Sequence, residues 1–149
     1  MITFQQERLN DVRAEITPLL DKHYKEIALH QDAIPLAPDW ARYASLEELG
    51  VLAIYTARED GRLIGYSVFF VTPHIHYETT LVASNDLLFV DPEYRGGSTG
   101  LKLIRFSEQA LKERGVKKVT WHCKFSNGLQ HLLNRLGYAD EEVIVGKIL

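Results

Sequence analysis

One cysteine in 149 residues, Cys123, leaves no partner for an intrachain disulfide and no thiolate set for a zinc cluster. A cationic surplus is also missing. Lys plus Arg number 17 against 20 Asp plus Glu, a formal net charge of -3, which argues against a general nucleic-acid binder. Apolar stretches such as Val68-Phe69-Phe70-Val71 and Leu87-Leu88-Phe89-Val90 fall far short of the ~20 residues a bilayer span needs. The opening Met-Ile-Thr-Phe turns polar at once, unlike a secretory leader. No membrane association is expected, and the expected location is cytoplasmic. Repeats, low-complexity tracts and Gly/Ser-rich linkers are absent, so a single domain over residues 1–149 is expected. The balance of 46% apolar and 25% charged residues is that of an ordinary globular chain.

What is there reads as alternating elements. Residues 6–29 carry Leu9, Val12, Ile16, Leu19, Leu20, His23 and Ile27 at helical spacing. Pro18 within that run predicts a kink or two consecutive helices. Asp39 is placed to cap a short second helix ending near Gly50, with Trp40, Tyr43, Leu46 and Leu49 inward. Strands are expected over 51–58 and 62–72, joined at Glu59-Asp60-Gly61, since Asp-Gly between β-rich runs signals a hairpin. A third strand is expected over 80–90, a helix over 98–114 ended by Gly115, a strand over 116–124, a helix over 126–136 stopped by Gly137, and a last strand over 142–149. The order α-α-β-β-β-α-β-α-β predicts an α/β fold with a mixed sheet flanked by helices on both faces.

The informative segment runs from Leu87 to Leu101. A buried strand ends, Asp91-Pro92 turns the chain, and Arg95-Gly96-Gly97-Ser98-Thr99-Gly100 feeds a helix. Free N–H groups at a helix N-terminus, beside glycines that let a phosphate approach, form an anion seat. A P-loop would need Gly-Lys-Ser/Thr, but Gly100 is followed by Leu101-Lys102. A dinucleotide fingerprint is absent as well.

The segment resembles the acyl-CoA loop of the GCN5-related N-acetyltransferase (GNAT) superfamily. That family's pattern is Gln/Arg-x-x-Gly-x-Gly/Ala after a strand ending in Val-x-Pro-x-Tyr/Phe, and Val90-Asp91-Pro92-Glu93-Tyr94-Arg95 fits the lead-in. The order of elements over most of the chain agrees, and the resemblance implies a mainly antiparallel sheet. One departure is Ser98 at the first motif glycine, tolerable where φ is negative because backbone N–H groups hold the phosphate.

The resemblance implies roles residue by residue. Leu88, Phe89 and Val90 would pair through their main chain with the pantetheine arm, and the Val90 amide would stabilise the oxyanion. Arg95, Gly96, Gly97, Ser98, Thr99 and Gly100 would hold the pyrophosphate. Ser126 and Asn127 would touch the CoA arm, with an ordinary helix cap as the equal alternative for Asn127. Relatives often carry a glutamate where Ser84 stands, so Asp86, two residues on, becomes the candidate base. The family's acid tyrosine is replaced by Leu133. A thiol of pKa near 8.5 leaves without strong acid help.

His76 and Tyr77, within His74-Ile75-His76-Tyr77-Glu78, are candidates for acceptor binding or proton relay, against plain loop packing. Two histidines without a third ligand do not argue for a metal, and none is expected. Across the acceptor mouth the family geometry pairs that segment with His23 and Glu26, although a buried, hydrogen-bonded role is the default for His23. The reading is an acetyl-CoA-dependent N-acetyltransferase acting directly on a primary amine, a homodimer being compatible with it. The competing reading is a non-catalytic acyl-CoA-binding or protein-interaction module on the same fold.

Overall fold

A computed structural model describes all 149 residues. The chain opens on a strand that the sequence reading did not contain: β1 (Ile2–Glu7) pairs antiparallel with β2 (Leu52–Glu59). Its half-buried residues Ile2 and Phe4 alternate with exposed Thr3 and Gln5. Four such residues among polar neighbours are too weak a pattern to read alone, and only pairing with β2 makes them a strand. The helix α1 (Leu9–Ile27) therefore starts later than expected.

Pro18 neither splits α1 nor ends it. Its ring lies on the exposed side, between buried Ile16 and Leu19, where the carbonyl one turn back is open to water. The second helix, α2 (Trp40–Glu48), is capped by Asp39, whose carboxylate accepts the N–H of Arg42 at 2.9 Å. β2 and β3 (Arg62–His74) form the expected hairpin, with positive φ at both Asp60 (47°) and Gly61 (88°). β4 (Tyr77–Val90) returns antiparallel to β3, so the expected 73–79 loop shrinks to a turn at Ile75 and His76. After one 3-10 turn at Pro92–Tyr94 come α3 (Thr99–Glu113), β5 (Lys118–Thr120) and α4 (Leu129–Arg135).

The sheet order is β1-β2-β3-β4-β5, antiparallel except for the β4–β5 pair. Two cores result. Leu9, Val12, Ile16 and Leu20 of α1 pack on Ile54, Tyr66, Val68 and Phe89 on one face; Leu103 and Leu111 of α3 pack on Tyr55, Phe69 and Val90 on the other. The expected last strand is not formed. Residues 142–149 have no regular structure, and Val143, Ile144 and Val145 are exposed. The strand propensity is present, but β5 spans three residues rather than the expected nine and bonds no strand on its outer edge. Propensity without a partner makes no ladder.

One close approach fixes the end of β4. Gly65 faces Val90 in register, and a Cβ there would sit 2.9 Å from the Phe89 carbonyl oxygen and 3.2 Å from Val90 Cγ2. The obstacle is backbone, which cannot swing away. Gly65→Ala should destabilise the fold by about 1–3 kcal/mol, read as a lower midpoint in urea with an unchanged m-value.

Candidate active site

The site begins with a defect in the β3–β4 ladder. Val68 pairs with Leu87 and Phe69 with Asn85, so Asp86 is the extra residue of a β-bulge. The bulge reverses the alternation: Ala83 belongs to the α3-side core before it, as do Leu88 and Val90 after it. It also turns the Asp86 carboxylate to the α2 side, where Tyr43 Oη donates to Oδ2 at 2.7 Å. Buried Asn85 holds the irregular backbone, its Nδ2 donating to the carbonyls of Val68 (3.1 Å) and Leu87 (3.0 Å).

Beside the bulge β4 loses its other neighbour. β5 pairs with Val82, Ala83 and Ser84 only. Beyond Ser84 the outer edge of β4 is open down to Val90. The Asp91 N–H donates inward to Ile64 O at 2.8 Å, so by ladder alternation Phe89 also turns its main chain towards β3. Leu88 and Val90 then direct theirs outward, where no strand stands. The Val90 carbonyl is taken by Arg95 Nε at 2.6 Å.

The open edge leads into the glycine loop. Ser98 has φ of -95°, and Gly96, Gly97 and Gly100 lie outside the left-handed region. A Cβ at Gly96 or Gly97 would meet nothing within 4 Å. Neither conformation nor packing calls for glycine there, so their effect is to leave main-chain N–H groups accessible. Ser98 makes no capping bond through its side chain, and the first turn of α3 contains no acid. The leading N–H groups of a 15-residue helix thus face outward unopposed. The edge, the bare loop and the helix terminus fit a pantetheine arm followed by a pyrophosphate.

Three residues of α1 secure this strand end. Lys22 Nζ lies 3.2 Å from Asp91 Oδ2, whose side chain is buried. Burial opposes ionisation of Asp91, but the bonds from Lys22 and the Glu93 N–H outweigh it and lower its pKa. Glu26 grips Arg95 at 2.5 and 2.8 Å, and the Arg95 guanidinium stands 5.2 Å from the Phe89 ring centre. Arg95 is thus spent on Glu26 and Val90 rather than reaching outward, and Glu26 is not free for an acceptor. His23 is 5% exposed, its Nδ1 3.0 Å from Tyr66 Oη. It belongs to the core, not to an acceptor mouth.

Asp86 is exposed along one side, yet the protein around it raises its pKa above the ordinary aspartate value, with the Tyr43 bond and nearby His122 pulling the other way. Ser84 Oγ is 3.2 Å from His122 Nε2. Nothing in the sequence marks Tyr43 or His122 as a site residue. The inward spacing of Tyr43 signals only core, and His122 follows a short strand with no motif around it.

His76 and Tyr77 are the clearest correction. They sit at the β3–β4 turn, both exposed. Nine residues of extended chain separate Tyr77 from Asp86, roughly 30 Å at about 3.3 Å per residue. The sequence cannot tell a strand end near the site from a hairpin tip far from it. Ser126 and Asn127 precede α4, whose N-cap is Gly128, and Asn127 Oδ1 accepts the Leu129 N–H at 3.1 Å in the turn before it. Leu133 is buried at 3%. Tyr138 donates to Glu108 at 2.7 Å, and burial raises its pKa with help from that bond. Cys123 is held protonated, its pKa raised by burial and by Asp140. No three His, Cys, Asp or Glu side chains are grouped to hold a metal ion, and no helix is long and apolar enough to cross a membrane.

Burial drives the His23 pKa down from 6.5 to about 4, against a smaller raising effect of Glu26. The unfolded chain therefore binds a proton in this window that the folded chain refuses, and stability should rise with pH from about 4 to 6.5. The span corresponds to about 3 kcal/mol. His23→Gln, which retains a partner for Tyr66, should flatten that part of the profile in denaturant titrations at successive pH values.

The sequence matches the Acetyltransferase (GNAT) family over residues 14–138. Among solved structures, an aminoglycoside acetyltransferase from an uncultured soil metagenomic sample is 18% identical, with a TM-score of 0.75 over 99% of this chain and 95% of that one. The ribosomal-protein-alanine N-acetyltransferase of Brucella melitensis biovar Abortus 2308 is 21% identical, with a TM-score of 0.72 over 100% and 99%. A predicted acetyltransferase with acetyl-CoA from Clostridium acetobutylicum is 14% identical, at 0.73 over 99% and 96%. No curated protein matches the sequence. At these identities the structures establish the fold, and the family match covers most of the chain: this protein is a member of the GNAT acetyltransferase family.

Proposed function

We propose that the protein transfers an acetyl group from acetyl-CoA directly to a primary amine. The observation that carries this is the open main-chain edge of Leu88 and Val90 running straight into the bare glycine loop and the N-terminus of α3. A neighbour of the same fold has acetyl-CoA in its structure. When bound, acetyl-CoA supplies an activated acyl thioester.

The residues then divide the work. Leu88 and Val90 receive the pantetheine arm through their outward main chain, which Phe89, turned towards β3, does not share, and the Val90 N–H donates to the carbonyl oxygen as negative charge develops. Gly96, Gly97, Ser98, Thr99 and Gly100 cradle the pyrophosphate through backbone N–H groups. Arg95 acts indirectly, by holding the Val90 carbonyl and tying the loop to α1. Asp86 accepts the proton that the amine must lose, directly or through a water, with Tyr43 orienting the carboxylate. The nitrogen attacks the thioester carbon, the C–S bond breaks, and the thiolate departs. With Leu133 in the acid position and Tyr138 engaged by Glu108, the thiol's own acidity serves. That same Leu133, together with Ser84 where relatives often carry a glutamate, favours the non-catalytic binding module, for which acetyl-CoA would bind without turnover.

Gly100→Glu places a carboxylate in the first turn of α3. An acid there suits the helix dipole, so the variant should fold, yet it should abolish acetyl-CoA binding by calorimetry. Unchanged affinity would move the phosphate seat elsewhere.

Asp86→Asn should lower kcat by about 10²–10⁴ while leaving acetyl-CoA affinity near wild type. Tyr43→Phe removes a bond that favours the Asp86 carboxylate, so the acidic limb of the kcat/KM profile should move to higher pH. Coincident profiles would exclude Asp86 as the base.

A further inference from the structure

Under the helices, adjoining Asp86, lies a cavity of about 280 Å³ between α1, the 34–38 segment, α2 and the sheet. Its floor is Ile54, Val68 and Leu87, and its walls include Leu20, Trp40 and Tyr43. None of its fourteen lining residues is charged. The two hydroxyls that border it are already committed: Tyr24 Oη donates to the Ile34 carbonyl at 2.6 Å, and Tyr43 Oη to Asp86. Tyr43 is therefore shared, its ring forming cavity wall and its hydroxyl touching the carboxylate.

Resting on the acetyl-transfer reading, we infer that the acceptor is an amine with an apolar body, an aromatic or aliphatic group joined by a short spacer to a primary amino group. Size and polarity both point there. A dry apolar cavity of about 150 Å³ holds a benzene ring, so this one accommodates a ring and spacer. An aminosugar or polyamine would surrender its water to walls that are mostly aliphatic and aromatic carbon with both tyrosine hydroxyls already engaged, an unfavourable exchange for most of the polar atoms buried. The amino group, in contrast, meets the Asp86 carboxylate at the Tyr43 edge. An apolar body in the cavity and a cation at its rim satisfy both features at once.

The test uses the full chain with 2-phenylethylamine, hexylamine, spermidine and glucosamine, following CoA release with acetyl-CoA. Binding without acetyl-CoA is followed by Trp40 fluorescence, with Trp40→Phe as the control. Ala37→Trp, on the exposed 34–37 rim, adds a ring to the cavity without replacing a core residue. The expected result is a kcat/KM at least about tenfold higher for the two apolar amines, with Ala37→Trp raising their KM by a similar factor and leaving acetyl-CoA affinity unchanged. Preferred turnover of spermidine or glucosamine, indifferent to Ala37→Trp, would overturn the acceptor class and leave acetyl transfer standing. Fluorescence-detected binding of 2-phenylethylamine, lost in Ala37→Trp but without turnover of any amine, would uphold the apolar-amine site and overturn the transfer reading. Neither binding nor turnover would overturn both.

Discussion

The β-bulge at Asp86 is the constraint on which the site's geometry rests. A regular ladder would keep Leu88 and Val90 on the same face as Ser84 and Asp86. One inserted residue sends Val90 into the α3-side core and leaves Asp86 on the α2 side, in reach of Tyr43. The same irregularity lies immediately beyond the point where β5 leaves β4. Loss of the neighbour and reversal of the faces together put an open main-chain edge beside a carboxylate. Bulges near functional sites re-aim side chains in this way, and Asn85 supplies the hydrogen bonds that keep the defect satisfied.

Helix α1 holds the other end. Lys22, His23 and Glu26 contact Asp91, Tyr66 and Arg95 within about one helical turn. Their contributions differ in kind. The Glu26–Arg95 pair is roughly two-fifths exposed on both sides, so it positions the loop more than it stabilises the fold. Asp91 is buried and partnered, and removing Lys22 would leave an uncompensated charge. His23 stays neutral because burial forbids its charged form.

Chemistry on the two sides of Asp86 is unlike. Towards the glycine loop the protein offers backbone donors and a helix dipole, suited to phosphate and to developing negative charge. Towards α2 it offers aromatic and aliphatic surface with its hydroxyls occupied. A polar donor molecule on one side and an apolar acceptor on the other would meet only at the bulge. That separation follows from which side chains face each layer of the sheet.

Much was legible in the sequence because its causes are local. Asp60-Gly61 dictates its turn, Asp39 its cap, Gly115 and Gly137 their helix ends, all through φ or a hydrogen bond a few residues away. The Val90-to-Gly100 segment is likewise contiguous, so its strand end, turn and helix start could be read directly. What needed tertiary structure depends on partners remote in the chain. Ile2 to Glu7 is a strand because β2 pairs with it, and residues 142–149 are not one because no strand does. His76 and Tyr77 lie at a distant tip because β3 and β4 are long, while Tyr43 enters the site because α2 folds over the bulge. Composition and spacing specify what a segment can form. Which neighbour it meets is decided by packing the whole chain into one structure.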